Sequence, residues 1–232
     1  LEMYDAYADR WWSGEARWLR TLHNMVPARM RFFDRLVGDW HGLRVLDLGC
    51  GGGFMAEAMA AKGARVTGVD IAAEALAAAR RHAEQQGLAI DYREGRGEAL
   101  PFADAAFDVV VSCDALEHVE DLGRVLDEVA RVVTPDGLFL FDTINRNPVA
   151  SFVAVTMAER VLRMLPQGTH DPDLFIRPED LARALERRGF EVGRFQGLGP
   201  TGVDRRGDLT FGLVPLTAVN YLGYARKRPA AR

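Results

Sequence analysis

Cysteine is nearly absent: Cys50 and Cys113 are the only two in 232 residues. Two thiols so far apart offer no disulfide framework, so both are expected to be free, as suits a reducing compartment. No apolar run approaches the roughly 18 residues needed to cross a bilayer. The opening residues lack the basic-then-apolar pattern of a secretory leader, which makes the cytoplasm the expected location. Positive charge is not in excess either, with 29 Lys plus Arg against 33 Asp plus Glu and a formal net charge of -4. With no basic tail, nucleic acid is not an expected partner. Internal repeats and low-complexity linkers are missing too, which favours one domain over residues 1–232. What remains is 48% hydrophobic and 27% charged, a composition that excludes a disordered or collagen-like chain.

From Tyr4 to Asp39 the pattern is helical and rich in aromatics (Trp11, Trp12, Trp18, Phe32, Phe33). Pro27 reads as a helix start, so two helices are expected in a cap over residues 1–40. Beyond Gly42, β-type runs alternate with amphipathic stretches. Strands are expected at Arg44–Leu48, Arg65–Val69, Ala89–Arg93, Phe107–Ser112, Leu138–Phe141, Phe190–Gln196 and Val219–Ala225. Helices are expected at Phe54–Lys62, Ala73–Gln86, Leu122–Val132 and Pro178–Arg188, with stops at Thr134-Pro135-Asp136-Gly137 and Gly189. Strand–helix alternation gives right-handed crossovers. The fold class is therefore α/β, a doubly wound, seven-stranded and mostly parallel sheet whose ligands bind at the carboxyl ends of its strands. Residues 145–176 interrupt the rhythm after the fifth strand as an amphipathic helical insert ended by Pro166.

Leu46-Asp47-Leu48-Gly49-Cys50-Gly51-Gly52-Gly53 is a strand running into a glycine-packed turn that opens a helix, where backbone and ligand can approach closely. Asp70 ends the next strand 21 residues after Gly49. A carboxylate there can accept from both hydroxyls of a ribose. The structural alternative is a tight turn with Asp70 as a helix N-cap. A nicotinamide-dinucleotide fingerprint fits only weakly, on Gly51, Gly53 and Ala56. This turn, the Glu98-Ala99-Leu100-Pro101-Phe102 stretch and Phe107-Asp108-Val109-Val110 together resemble the class I methyltransferases that use S-adenosylmethionine. The resemblance implies that Gly49 and Gly51 line the methionine and ribose portion, that Asp70 with Ile71 beside it holds the ribose, and that Gly97 and Glu98 border the adenine. Arg96 stands where many relatives carry Asp and cannot accept the adenine amine's hydrogen bond.

Asp114, Glu117 and His118 follow the fourth strand and share one face if the segment turns helically. Spacing alone leaves open a metal site or an N-cap with two solvated polar residues. The stretch resembles the Glu-x-x-Glu-His segment of the ubiquinone-biosynthesis O-methyltransferases, with Asp114 as a shorter carboxylate. Trp11-Trp12, Leu22-His23, Asp142-Thr143-Ile144-Asn145-Arg146, the 162–171 segment and Val219-Asn220-Tyr221-Leu222 are similar to the same family. The resemblance implies a divalent cation (Mg²⁺, Mn²⁺ or Zn²⁺) on Asp114, Glu117 and His118, and cofactor contacts at Arg29, Gly49, Asp70 and Cys113. Arg29 would pair with the cofactor carboxylate, where its bland alternative is a surface salt bridge. The charged 203–208 segment departs from the family pattern.

The function this implies is methylation of a phenol or catechol hydroxyl on a polyprenylated ubiquinone precursor. A soluble secondary-metabolite acceptor (O- or N-), a nicotinamide-dependent oxidoreductase and a non-catalytic cofactor-binding module are the alternatives. The bound cation would stabilise the phenolate, or His118 would act as general base. The apolar 151–165 stretch reads as a lid or as a patch that meets the membrane surface, which would make the protein peripheral.

Overall fold

The computed structural model describes residues 10–161 and 168–229. Its single sheet holds nine strands rather than seven: β1 (Arg44–Leu48), β2 (Arg65–Asp70), β3 (Asp91–Glu94), β4 (Phe107–Ser112), β5 (Val133–Ile144), β6 (Phe190–Val192), β7 (Gln196–Val203), β8 (Leu209–Val214) and β9 (Asn220–Lys227). Their order is β3-β2-β1-β4-β5-β9-β7-β8, with β6 also on β9. The first five strands pair in parallel, and β9 turns antiparallel beside β5. Strands β1 and β4 are buried on both faces, as helix-covered parallel strands are. The carboxyl ends of β1, β2, β4 and β5 open on one edge, and the order reverses between β1 and β4, the crevice where such sheets bind ligands.

The helices are α1 (Arg17–Val37), α2 (Phe54–Ala60), α3 (Ala73–Gln85), α4 (Leu122–Val132), α5 (Pro148–Ser151) and α6 (Pro178–Glu186). The crossover helices fall where periodicity puts them, each trimmed by a residue or two at its carboxyl end except α4, which matches. In α4, buried Val125, Leu126, Val129 and Val132 recur at helical spacing, and the Asp121 side chain accepts from the Arg124 N–H at 3.0 Å as a cap.

Three expectations are corrected. Pro27 does not start a helix but lies inside α1. An internal proline costs about 3 kcal/mol, which the burial of Trp18, Leu19, Met25, Val26, Met30 and Phe33 offsets. The expected strand Phe190–Gln196 is two strands, because the backbone at Gly193 meets the Tyr224 ring: a Cβ there would lie 2.0 Å from that ring. Both pieces lie along β9 at opposite ends. Third, the stretch before β9 folds as a hairpin of β7 and β8 whose turn is the charged 203–208 segment. Asp208 of that turn is buried and accepts from Arg20 of α1, Nε at 2.6 Å and Nη2 at 3.0 Å. The segment that departs from the family pattern thus joins the hairpin to the N-terminal helix.

After α5 the insert continues as a π-helical segment, Phe152–Val161. The expected stop at Pro166 lies outside the described residues. Among the described residues no helix is long and apolar enough to cross a membrane.

Candidate active site

The glycine turn is shaped by what crowds it. Gly49 has φ 76°, and a Cβ on it would sit 2.4 Å from the Ala115 Cβ, so no other residue fits. Its N–H donates to the Val69 carbonyl at 2.8 Å, tying the turn to the end of β2. The Asp70 carboxylate accepts from the Gly51 N–H at 2.8 Å and from the Ala72 N–H at 2.9 Å. Two backbone donors thus set the direction of this carboxylate, a group whose oxygens accept from hydroxyls.

An N-terminal segment closes over this turn. The Trp12 indole N–H donates to the Gly52 carbonyl at 2.9 Å. Trp11 packs so closely on Gly52 that a Cβ there would lie 2.0 Å from the indole. Trp12 in turn stacks on His82, ring centroids 3.6 Å apart and 4° from parallel, and His82 is paired with buried Glu57 at 2.8 Å. Sequence reasoning gave Trp11 and Trp12 no site role. The available signal was two adjacent indoles upstream of a glycine turn they could cover.

Beyond the turn lies a buried charge cluster. Arg29 is 2% exposed and bonds Asp142 through Nε and Asp114 through Nη2, the latter at 2.5 Å. The second Asp142 oxygen accepts from the Asp114 N–H at 2.9 Å. These bonds hold Asp114 at φ 51°, a left-handed conformation that Asp tolerates better than most residues. With Nε on Asp142 and Nη2 on both Asp114 and the Met25 sulfur at 3.7 Å, Nη1 is the Arg29 nitrogen left to meet a cofactor carboxylate. Burial pushes the Asp142 carboxyl up against the pull of Arg29. Burial, with Asp70 nearby, also raises Asp47 to about 7, and its Oδ2 has no partner among the described residues. Cys50 and Cys113 are free and buried, and burial pushes both thiols well up.

The three residues read as one metal-binding face are not gathered. Asp114 faces Arg29. Glu117 is 1% exposed and sits behind the cavity wall, where the Thr143 hydroxyl donates to Oε2 at 2.8 Å while Oε1 has no partner among the described residues. His118 opens onto the cavity. The segment turns as a short 3-10 helix, Leu116–His118, with Asp114 outside it, so the i, i+3, i+4 face never forms. Among the described residues no three His, Cys, Asp or Glu side chains are placed to hold a metal ion. The donor types suit a cation, but the arrangement does not fit one.

The His118 ring stacks on His170, centroids 5.6 Å apart and 23° from parallel. Burial lowers the pKa of His118, with Asp114 pulling the other way. Burial also lowers that of His170, helped by His118 and opposed by Glu159. Burial thus favours the neutral form of both rings, in which one ring nitrogen can accept a hydrogen bond.

All this surrounds one cavity of about 1040 Å³, at the upper end of the range for small-molecule and cofactor sites. Arg29, Gly49, Gly51, Asp70, Ile71, Gly97, Glu98, Cys113, Asp114 and His118 line it, and Glu117 does not. Arg96 also borders it, paired with Glu120 at 2.9 Å. The hairpin contributes Leu198, Phe211 and Val214.

The family model described as a methyltransferase domain matches residues 46–141. A ubiquinone biosynthesis O-methyltransferase from Bordetella avium is 39% identical over 228 residues, 98% of this chain and 92% of the relative. One of the same name from Paracidovorax citrulli is 42% identical over 232 residues, 99% of this chain and 95% of the relative. Among solved structures, magnesium protoporphyrin IX methyltransferase from Synechocystis with bound SAH superposes with a TM-score of 0.65 at 18% identity, covering 91% of this chain and 85% of that one.

Proposed function

We propose how this chain works from the premise that it belongs to the ubiquinone biosynthesis O-methyltransferase family and is an S-adenosylmethionine-dependent methyltransferase. Its reaction is transfer of the methyl group to a phenol or catechol hydroxyl of a polyprenylated ubiquinone precursor. The observation that carries this reading is the continuity of one cavity from the Gly49–Asp70 end to the His118 end. A nucleoside-sized ligand and an aromatic acceptor can therefore lie side by side.

S-adenosylmethionine, when bound, supplies a methyl group already made electrophilic by the sulfonium. The chain's task is to bind and orient it, exclude water and provide a nucleophile in line. Gly49, Gly51 and Asp70 hold the ribose and methionine end, and Gly97 and Glu98 border the base. A phenol has a pKa of about 10, so at neutral pH its phenolate lies roughly 4 kcal/mol away. His118 is the proton acceptor that takes the hydroxyl proton as the oxygen attacks the methyl group, so that free phenolate need not form first, because its ring opens onto the cavity beside the turn after β4. No step passes through a cation, since Asp114 and Glu117 are turned to Arg29 and Thr143. Apolar Leu22, Met25, Met157 and Phe211 in the lining of the same cavity suit a prenyl tail.

The exposed Val149, Phe152 and Val153 at the start of the insert would meet the membrane that carries such a substrate. Flotation with anionic liposomes, reduced by Phe152→Asp, is the expected result. No flotation of the unaltered protein removes this contact.

The deciding assay is methyl transfer to a prenylated catechol with and without a chelator. His118→Ala is expected to lower kcat by about 10²- to 10⁴-fold while affinity for S-adenosylhomocysteine stays within about two-fold. Unchanged turnover in His118→Ala removes the base. Turnover lost to the chelator and restored by Mg²⁺ overturns the cation-free route.

A further inference from the structure

The insert carries a carboxylate–imidazole pair that no part of the reading above uses. Glu159, on the π-helical segment, is 2% exposed, and among the described residues it accepts from the Gly168 N–H at 2.8 Å, the His170 N–H at 3.0 Å and His170 Nδ1 at 3.0 Å. A carboxylate that receives backbone N–H groups on both oxygens is acting as an acceptor only. The His170 proton must then sit on Nδ1, which leaves Nε2 with its lone pair. His170 lines the cavity beside His118, and the edge of its ring is packed by Phe175, centroids 6.0 Å apart. The ring is thus fixed in tautomer by Glu159 and in plane by His118 and Phe175. Oriented imidazoles of this kind recur wherever one ring nitrogen must present a lone pair in a set direction.

Segments of π-helix are uncommon and concentrate at functional sites. Here the wide turns bring Glu159 inward while Val153, Ala154, Met157 and Ala158 of the same segment face the cavity. A buried carboxylate is expensive in a segment that merely covers a core. The cost has a purpose if the pair it forms touches a ligand.

We infer that the insert supplies half of the acceptor site: His170, oriented by Glu159, accepts a hydrogen bond from the acceptor's hydroxyl through Nε2, next to His118. This rests on the proposed phenol or catechol acceptor and deepens it, because the acceptor site is complete only with the insert folded against the core. His170 is then a residue that touches substrate, and Glu159 a positioning residue behind it. No proton need leave the hydroxyl at His170, since the role is to hold the ring while His118 acts on it.

The test is a calorimetric titration of a short-tailed prenyl catechol into the S-adenosylhomocysteine complex, alongside kcat and KM for the same catechol. His170→Phe keeps the ring and its stacking and removes the nitrogen; His170→Asn is a second, smaller variant. Both are expected to weaken catechol binding and raise its KM by about 10-fold or more, the worth of one well-placed hydrogen bond, with S-adenosylhomocysteine affinity within about two-fold. Glu159→Ala removes the acceptor that holds Nδ1, so it frees the ring and is expected to act in the same direction. Catechol affinity unchanged in His170→Phe or in Glu159→Ala overturns the inference. So does a parallel loss of cofactor binding in both His170 variants, which makes the residue a support of the fold. Catechol binding by the unaltered protein without turnover sinks the proposed reaction and leaves the inference standing. Normal turnover with a silent His170→Phe does the reverse.

Discussion

Arg29 and Asp142 form an ion pair that is almost sealed from solvent, their side chains 3% and 0% exposed. It joins α1 to the end of β5 across the cavity floor, and through Asp142 it also fixes the Asp114 N–H. Removing one partner of such a pair strands a buried charge, at a cost of about 3–5 kcal/mol. Asp142→Ala should therefore unfold at markedly lower urea concentration than the unaltered protein. Asp142→Asn, which can still accept from the Asp114 N–H, should fall between them. Equal midpoints for Asp142→Ala and the parent would show that the pair contributes nothing to stability.

Glu117 sets a pH dependence. Burial, with Asp114 nearby, raises its carboxyl from the usual 4.5 to about 7. The unfolded chain gives up this proton near pH 4.3, whereas the folded one keeps it to about 7. The folded state binds more protons in that window, so this residue makes stability fall as pH rises from about 4 to 7. Glu117→Gln removes the titration. It should be close to neutral at pH 4 and stabilising at pH 8 by roughly 3 kcal/mol, at 1.36 per unit. Denaturation curves that keep the same pH slope in the variant would contradict this origin.

Two glycines assigned to cofactor binding should behave differently when changed. Gly49→Ala meets the Ala115 Cβ at 2.4 Å with a positive φ and cannot relax cheaply. Calorimetry should show S-adenosylhomocysteine affinity reduced at least about 10-fold, since strain and overpacking of this kind cost about 1–3 kcal/mol. Gly97→Ala meets only Val125 and Leu48 side-chain methyls, the nearest at 3.3 Å, and should bind within about three-fold of the parent. Similar losses in both would mean that the crowding at Gly49 does not decide the turn.

Trp11 reports on the closure over the turn. Gly52→Ala places a methyl group 2.0 Å from its indole and should expel the ring into water. The tryptophan emission should shift red, and S-adenosylhomocysteine should bind less tightly by about 10-fold, the worth of roughly 1.4 kcal/mol. An unshifted spectrum would mean that the segment does not rest on Gly52 in solution.

Much of the site was legible because the parallel β/α rhythm prescribes where loops must gather. Gly49, Gly51 and Asp70 lie near the ends of β1 and β2, and periodicity alone places those strands. The Trp11–Gly52 contact and the Glu159–His170 pair were not legible in the same way. Each joins residues whose meeting depends on how an irregular segment crosses the sheet edge. The Asp114–Glu117–His118 face failed for a related reason. That face requires a helical turn starting at Asp114, but Asp114 is drawn into a left-handed conformation by Asp142, a residue 28 positions away. The β7–β8 hairpin has no clear strand signature in the sequence because its strands carry glycine and proline, which weaken strand patterns.

Local sequence determined the alternating parallel core, the glycine turn with its acidic partner on the next strand, and the lack of a membrane-spanning helix among the described residues. All of these follow from short-range periodicity, backbone freedom and composition. Only the tertiary structure decided which charges neutralise one another and which ring nitrogens face the cavity. Arg29 could have met a ligand or solvent, and Glu117 could have faced a cation. Their partners were chosen by burial, since a charge removed from water is tolerable only beside an opposite charge or a donor, and where burial occurs is a property of the whole fold.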